Sequence, residues 1–220
     1  MTRSIRKSFW LCGVPAALAL SVATSGCNQD SGTGSPANRV DTLISDASRD
    51  GWVDNSGNFS TATVPLVGDY NGSGGIAYYR QVFSFSLAGF PATAQIVSAK
   101  LILNQGKVLG DPYGKFGSVK VVHVALGNPL SLVDYLSAPL AGSPASLTAS
   151  VDPTLGTREL IVTSWVTSDM VNSRIRSEYR LQFSGAEGNN DATNDAAYFT
   201  DAEATCCTGA TPPRLVVTWF

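Results

Sequence analysis

The sequence predicts an all-β protein, a two-sheet antiparallel β-sandwich of the jelly-roll type with one short helix. Short runs rich in β-branched and aromatic residues recur along residues 40–220, and clusters of Gly, Asn, Asp and Pro separate them. Eight or more such runs in one domain of this length are typical of a sandwich. Only the segment 163–175 spaces its apolar residues as a helix does.

The predicted strands follow one another with turn residues between them. The run at 118–126 is nearly all apolar, which is typical of a strand covered on both faces. In the helical segment, Val166, Met170 and Ile175 are loosely helix-spaced, so we expect a short helix there. The strand runs are residues 62–69, 77–87, 95–104, 118–126, 157–165, 178–185, 196–204 and 214–220.

Alternation divides the second of these runs into two faces. Tyr79, Phe83 and Phe85 share one face, which we assign to the core. Tyr78 and Arg80 belong to the opposite face, where a ligand is able to reach them.

The N-terminus has the pattern of a secretion signal. Arg3, Arg6 and Lys7 form a positively charged start, and the apolar run from Phe9 to Val22 follows. That run is interrupted and too short to span a bilayer permanently. We therefore expect this segment to direct export and to be removed.

The run ends in small residues and a cysteine that resemble a bacterial lipobox. Ser25, Gly26 and Cys27 fit that motif, whereas Thr24 stands where it usually has Leu. The resemblance implies a signal peptide at 1–26 and lipid on Cys27, and the alternative is ordinary cleavage beside an incidental cysteine. Asn28 follows, and in enterobacterial lipoproteins a residue other than Asp there favours the outer membrane.

Residues 27–39 are polar and rich in Gly, Ser and Pro, which predicts a flexible tether before a domain at 40–220. Removing residues 1–26 takes away three basic residues and no acid, so the formal charge falls from −2 to −5. Without a basic excess the chain is not a nucleic-acid binder by composition. The domain is long enough for one substantial core.

Cys206 and Cys207 are the cysteines left after the signal and the lipid site. In an oxidising compartment they pair with each other, pair between molecules or stay free. We expect a disulfide between them. Because it closes almost no chain, it should add little to overall stability and act mainly by stiffening the loop before the last strand. Two thiols alone fall short of a zinc ligand set.

One pattern of spaced residues runs through the middle of the domain, with Arg80 followed by Phe85, Leu87 and Pro91, and then by the run at 96–103. This pattern resembles that of DNRLRE-type domains, which are related to a family of carbohydrate-binding modules. Ser86 replaces the usual Asp of that pattern, and Phe90 replaces the usual Leu before proline. The resemblance covers about residues 40–220 and implies a jelly-roll sandwich, often attached to secreted polysaccharide-active proteins. The matching positions are Arg80, Phe85, Leu87, Pro91, Ile96, Ala99, Leu101, Leu103, Glu203, Pro213, Leu215, Val217 and Trp219.

Glycan binding on such a sandwich needs exposed aromatic rings and polar side chains. Tyr78 and Arg80 share the outer face of one strand, and Tyr70 and Tyr113 lie in Gly-rich loops. We predict these four residues as the ligand site. The alternative is that the rings serve packing or are scattered on the surface.

Carboxylates in loops also suit calcium, which takes oxygen ligands. Asp46, Asp50 and Asp54 form one such group and are the candidate ligands of a structural calcium ion, and no other cofactor is expected. The spacing is not that of an EF-hand, and the alternative is that these residues shape turns.

Enzymatic chemistry has little support in the sequence. His123, the one histidine, lies mid-strand among valines and is predicted to be a buried strand residue. Asp201 and Glu203 are two residues apart, so in a strand they share one side and do not flank a sugar bond. We therefore predict no enzymatic activity.

Together these features predict a lipid-anchored protein of the cell envelope, at the outer rather than the inner membrane, or a secreted one. Its expected partners are a polysaccharide or cell-surface glycan and, through the lipid, the membrane. The alternative is a structural or adhesive envelope, matrix or filament component that binds another protein, for which an intermolecular cysteine bond would speak. A polysaccharide lyase or hydrolase is the third hypothesis.

Overall fold

The computed structural model describes residues 37–72, 75–140, 144–148, 152–185, 187–189, 191–203, 206–207 and 211–220. The predicted signal peptide, Cys27 and most of the predicted tether lie outside these residues. The first strand begins at Arg39, one residue inside the predicted tether. Within the described part, no helix is long and apolar enough to cross a bilayer.

Antiparallel strands dominate the described residues, so the predicted all-β class is confirmed. The strands are β1 (Arg39–Ile44), β2 (Gly51–Asp54), β3 (Phe59–Ser60), β4 (Val67–Gly72), β5 (Gly75–Ser86), β6 (Ile96–Leu109), β7 (Val119–Val124), β8 (Ala145–Ser146), β9 (Gly156–Ile161), β10 (Arg176–Phe183), β11 (Asp195–Phe199) and β12 (Arg214–Trp219).

The described residues contain three short helices, whereas one was predicted. They are α1 (Pro112–Phe116), α2 (Leu132–Leu136) and α3 (Thr163–Val171). The predicted helix is α3, which ends four residues before the predicted 175. α1 and α2 were not predicted, because each is about one turn long and too short to show an apolar period.

Two long strands, β5 and β6, allow the sheet to fold over into two layers. β6 pairs with β12 over 96–102 and, along the same edge, with β11 over 105–109. β5 likewise pairs with β4 in its first half and with β10 in its second. The hydrogen-bonded order is β1-β12-β6-β11-β4-β5-β10-β7-β8, with β9 beside β6 and β2 beside β5.

The main core lies between these layers. Side chains of β6 and β12 belong to one buried cluster with side chains of β5, β7 and β10, although the two groups of strands are not neighbours in the sheet. Phe83 and Phe85 are fully buried there, as predicted, and the Phe85 ring lies 5.9 Å from that of Tyr179. Face-to-face packing of this kind defines a β-sandwich.

A second, smaller cluster covers the outer face of β5. Val53, Val82, Leu130 and Tyr135 are buried in it, because the segment leading into α2 lies across that face. The prediction that the run at 118–126 is covered on both faces is also confirmed for β7: Val119 and Val121 belong to the main core, and Val122 and Val124 on the opposite face are buried.

Candidate functional site

A cleft of about 370 Å³ opens where β2, β4, β5 and β11 approach one another. We call it the aromatic cleft, since four of its seven lining residues carry rings. The lining residues are Trp52, Thr63, Val64, Leu66, Tyr70, Tyr79 and Tyr198.

Trp52 and Tyr79 form one wall of the cleft in a fixed mutual orientation. Their ring centroids are 5.0 Å apart with the planes at 76°, an edge-to-face contact. The indole Nε1 of Trp52 donates a hydrogen bond of 2.8 Å to Oγ1 of Thr63. Both residues are half-buried, pack against each other and line the cleft.

Tyr70 and Tyr198 complete the ring-bearing lining. They belong to a third apolar cluster, in which Leu66, Tyr198 and Cys206 are buried and Tyr70 packs against them. Burial raises the pKa of Tyr198 to about 12, and burial also raises the pKa of Tyr79. Both hydroxyls therefore stay protonated at neutral pH and are able to donate hydrogen bonds.

The same cluster contains the disulfide. Cys206 and Cys207 are bonded to each other, so the predicted vicinal pairing is confirmed. The sulfur atoms lie against the backbone of Gly106 on β6, where there is no room for a Cβ atom. The disulfide therefore occupies the outer side of β6 next to Tyr198 and supports the cluster behind the cleft.

The four predicted ligand residues are not brought together. Tyr70 lines the aromatic cleft, whereas Tyr78 does not. The ring of Tyr78 lies against the backbone of Gly188 so closely that a Cβ atom on that glycine would overlap it. Its backbone also exchanges hydrogen bonds with Asn55.

Arg80 is committed to internal partners, contrary to its predicted role toward a ligand. Its guanidinium lies 4.0 Å from the ring centroid of Tyr135 and forms an ion pair of 2.7 Å with Glu187. It also donates to the carbonyl oxygen of Tyr135, and the Tyr135 hydroxyl donates to Glu187. Arg180 donates a hydrogen bond of 2.9 Å to the same carbonyl. We call these four residues the Arg80 network.

The prediction that Tyr113 is exposed is wrong. Pro112 begins the turn of α1, and the Asp111 side chain caps it by accepting from the backbone N–H of Gly114 at 3.0 Å. That turn directs Tyr113 inward, where its ring lies 5.5 Å from the ring of Phe183. The Tyr113 side chain is therefore part of the main core.

The predicted calcium ligands do not converge. The carboxylates of Asp46, Asp50 and Asp54 each accept hydrogen bonds from a different set of residues, and Asp54 shapes a turn. Among the described residues, no group of three or more His, Cys, Asp or Glu side chains is arranged to hold a metal ion. The partners are Ser48 and Arg176 for Asp46, Ser84 for Asp50, and Ser56 and Asn58 for Asp54.

The candidate catalytic groups are likewise separated from the cleft. His123 is buried, as predicted, and its Nε2 lies 2.9 Å from a carboxylate oxygen of Asp169. Its ring stacks on Trp165 at 5.6 Å. Asp201 is buried and Glu203 is exposed, and neither lies in a strand, so the expected shared strand face is wrong.

The sequence did not predict the other three rings of the cleft, Trp52, Tyr79 and Tyr198, as ligand residues. Tyr79 was assigned to the core by alternation, and Trp52 lies on a strand of only four residues. Neither a scan against protein-family models nor a search of curated proteins finds a match to this chain.

Proposed function

We propose that this protein is a non-catalytic glycan-binding β-sandwich, held at a bacterial cell envelope by lipid on Cys27. The aromatic cleft carries the proposal. Aromatic rings bind the apolar faces of sugar rings, and neighbouring hydroxyls supply hydrogen bonds to the sugar. Trp52 and Tyr79 offer two rings in fixed orientation, and Tyr70 and Tyr198 add phenolic hydroxyls.

The chemistry of the lining favours binding over turnover. The seven residues that line the cleft include tyrosines, a threonine, a tryptophan and aliphatic side chains, but no carboxylate, histidine or thiol. Glycoside cleavage in most enzymes needs a pair of carboxyl groups on either side of the bond. Burial raises the pKa of Tyr79 and of Tyr198, so both hydroxyls are protonated at neutral pH and neither is available as a general base.

The cellular setting rests on the sequence. The signal-like N-terminus and the lipobox resemblance support a location outside the cytoplasm, where polysaccharides are abundant. The DNRLRE resemblance adds an association with polysaccharide-active proteins. The rival adhesive role would have been favoured by an intermolecular bond at Cys206 or Cys207, and these two cysteines are bonded to each other.

Affinity electrophoresis through gels that contain one polysaccharide each tests the proposal on the purified protein. We expect the wild-type protein to be retarded by at least one gel and the Trp52→Ala and Tyr70→Ala variants to bind about tenfold more weakly, since one stacked ring contributes about 1.4 kcal/mol. Phe59→Ala is the matched control, because Phe59 is an exposed ring on β3 outside the cleft.

Two results would contradict the proposal. One is free migration of the wild-type protein through neutral, acidic and amino-sugar polysaccharides alike. The other is an equal loss of retardation in Phe59→Ala and Trp52→Ala, because a general loss of surface aromatics would then account for the effect.

A further inference from the structure

A second cavity, of about 380 Å³, is lined by three arginines and one glutamate. We call it the arginine pocket. It lies beside the start of β10, whereas the aromatic cleft lies beside β2, β4 and β11. Its lining residues are Arg49, Ser173, Arg174, Ile175, Arg176 and Glu178.

Glu178 forms the floor of the arginine pocket and is saturated with hydrogen bonds. Its side chain is 4% exposed. One carboxylate oxygen accepts from Arg49 at 3.0 Å and from the Ser84 hydroxyl at 2.9 Å. The other accepts from Arg174 at 3.2 Å and from the backbone N–H of Leu126 at 3.0 Å. A single buried carboxylate therefore holds two guanidinium groups in place and has no capacity for more.

The arginines keep unused donors. Arg174 forms an ion pair with Asp169, with its Nε 3.0 Å from the carboxylate but without hydrogen-bond geometry. Arg176 donates from Nη2 to Asp46 at 2.7 Å and from Nε to the Ser84 hydroxyl at 2.6 Å. Neither acid lines the pocket. Within the described residues, Nη1 of Arg49, Arg174 and Arg176 makes no hydrogen bond, and Nε of Arg49 is buried without a partner. Each Nη1 carries two N–H groups.

The side chains of these three arginines are also largely buried. Arg49, Arg174 and Arg176 are 16%, 26% and 18% exposed. Guanidinium groups are planar donors that match oxyanions in geometry, and partial burial strengthens their attraction to a negative charge. The lining of the pocket carries three positive charges against one negative charge.

We propose that the arginine pocket binds an oxyanion, namely a carboxylate or sulfate group carried by an acidic ligand. Unpaired Nη1 groups on three guanidiniums receive the anion, and Glu178 orients two of these guanidiniums from below. The site does not depend on the proposed role of the aromatic cleft, because the two share no lining residue.

The test titrates the purified protein with sodium sulfate and with sodium glucuronate at constant ionic strength, with glucose as the neutral control. Spectra of the ¹⁵N-labelled arginine side chains report the site directly. We expect saturable shifts of the Nε resonances of Arg49, Arg174 and Arg176 with both anions, and none with glucose. A response to one anion alone supports the proposal and identifies the ligand as sulfated or as carboxylated.

Arg176→Lys is the informative variant. The Nε atom of Arg176 donates to the Ser84 hydroxyl at 2.6 Å and lies 3.8 Å from Glu178, so its loss removes no direct hydrogen bond of that carboxylate. We expect affinity to fall about tenfold, since lysine keeps the charge but not the planar donors. Arg158→Lys is the matched control, because Arg158 is an arginine of β9 that pairs with Asp152 outside the pocket.

The proposal is overturned if neither anion gives a saturable shift, or if Arg176→Lys binds as tightly as the wild-type protein and Arg158→Lys do. The two proposals also fail separately. Retention of the wild-type protein on a neutral polysaccharide without any response to anions removes only the arginine pocket, and the reverse result removes only the aromatic cleft.

Discussion

Tyr79 and Arg80 are consecutive residues of β5, yet they belong to regions with opposite properties. Tyr79 packs against Trp52 and leaves a cleft beside it, whereas Arg80 is enclosed by Glu187 and Tyr135. An aromatic ring among apolar neighbours uses one face for packing and leaves the other face free for a ligand. A guanidinium beside a carboxylate and a ring face satisfies its donors and its charge within the protein.

The comparison teaches that a residue type alone does not mark a binding site. Arg80 and Tyr78 have the polar and aromatic character expected of a glycan site, but their neighbours in the fold already occupy them. The cleft is available because its lining lacks complementary charges. We therefore expect changes in the Arg80 network to affect stability, and changes in the cleft to affect binding.

The largest expected effect comes from removing Glu187. In Glu187→Ala, the guanidinium of Arg80 and the hydroxyl of Tyr135 lose their carboxylate partner in a setting that is only 15–16% exposed. We expect the free energy of unfolding to fall by about 2–3 kcal/mol, measured by urea denaturation, with polysaccharide retention unchanged.

Glu159→Ala is the control for that variant, because the Lys100–Glu159 pair is 42% and 50% exposed. An exposed pair contributes about 0–1 kcal/mol, so this variant should unfold nearly as the wild-type protein does. If Glu187→Ala lost retention while keeping its stability, the separation of the two regions would be wrong.

The pH dependence of stability tests the segment that leads into the strand of the cleft residue Trp52. Asp50 directly precedes β2, the strand of Trp52, and burial raises the pKa of Asp50 to about 8. The folded protein then keeps a proton that the unfolded chain releases above about pH 4, so this contribution is complete below about pH 4 and is lost as pH rises toward 8. We expect stability to fall by about 2 kcal/mol between pH 5 and pH 7.

Asp50→Asn removes that proton equilibrium and should flatten the curve over the same range, as followed by urea denaturation at pH 5, 6 and 7. Asp46→Asn is the control, because hydrogen bonds, chiefly from Ser48, lower the pKa of Asp46 instead. Parallel curves for the wild-type protein and Asp50→Asn would show that Asp50 is ionised in the folded state.

A smaller effect is expected at the support of the cleft. In Gly106→Ala the new methyl group meets the sulfur atoms of the Cys206–Cys207 disulfide, which must shift. We expect a loss of about 1–2 kcal/mol in unfolding free energy and weaker polysaccharide retention. Gly89→Ala, with open space around its Cβ position, should change neither quantity. Unchanged retention in Gly106→Ala would mean that the disulfide does not support the cleft.

The smallest expected effect concerns the orientation of the Trp52 ring. Thr63→Val keeps the shape of the side chain and removes the acceptor for the indole N–H of Trp52. We expect a loss of about 0.5–1.5 kcal/mol in unfolding free energy and a several-fold weaker retention in affinity electrophoresis. An equal retention would show that packing against Tyr79 is enough to orient the indole.

The fold was predictable where strands are long enough to show alternation. The runs at 77–87, 118–126, 178–185 and 214–220 coincide with β5, β7, β10 and β12, because one side of each faces a core. The strands β2, β3 and β8 were missed, since two to four residues do not establish a period. β1 was missed as well, because its six residues are nearly all exposed and show no alternation of burial. α1 was hidden in a segment whose glycines indicate a loop.

The candidate site was predictable only in part. Tyr70 was identified from its Gly-rich surroundings, and it lines the cleft. Alternation placed Tyr79 on the same face as Phe83, but Tyr79 lies outside the main core and faces the cleft instead. Tyr198 is distant in sequence from Trp52, and their proximity depends on the pairing of β11 with β4, which one sequence does not reveal.

The pairing of β1 with β12 has a consequence for how the chain acquires its structure. Residues 39–44 form their ladder with residues 214–219, so the first strand has no partner until the last one is available. Contacts between such distant parts of a chain slow folding, because a large loop must close before the contacts stabilise anything. The ladder between β1 and β12 therefore closes only once residues 214–219 have been synthesised, whichever of the inner strands pair earlier.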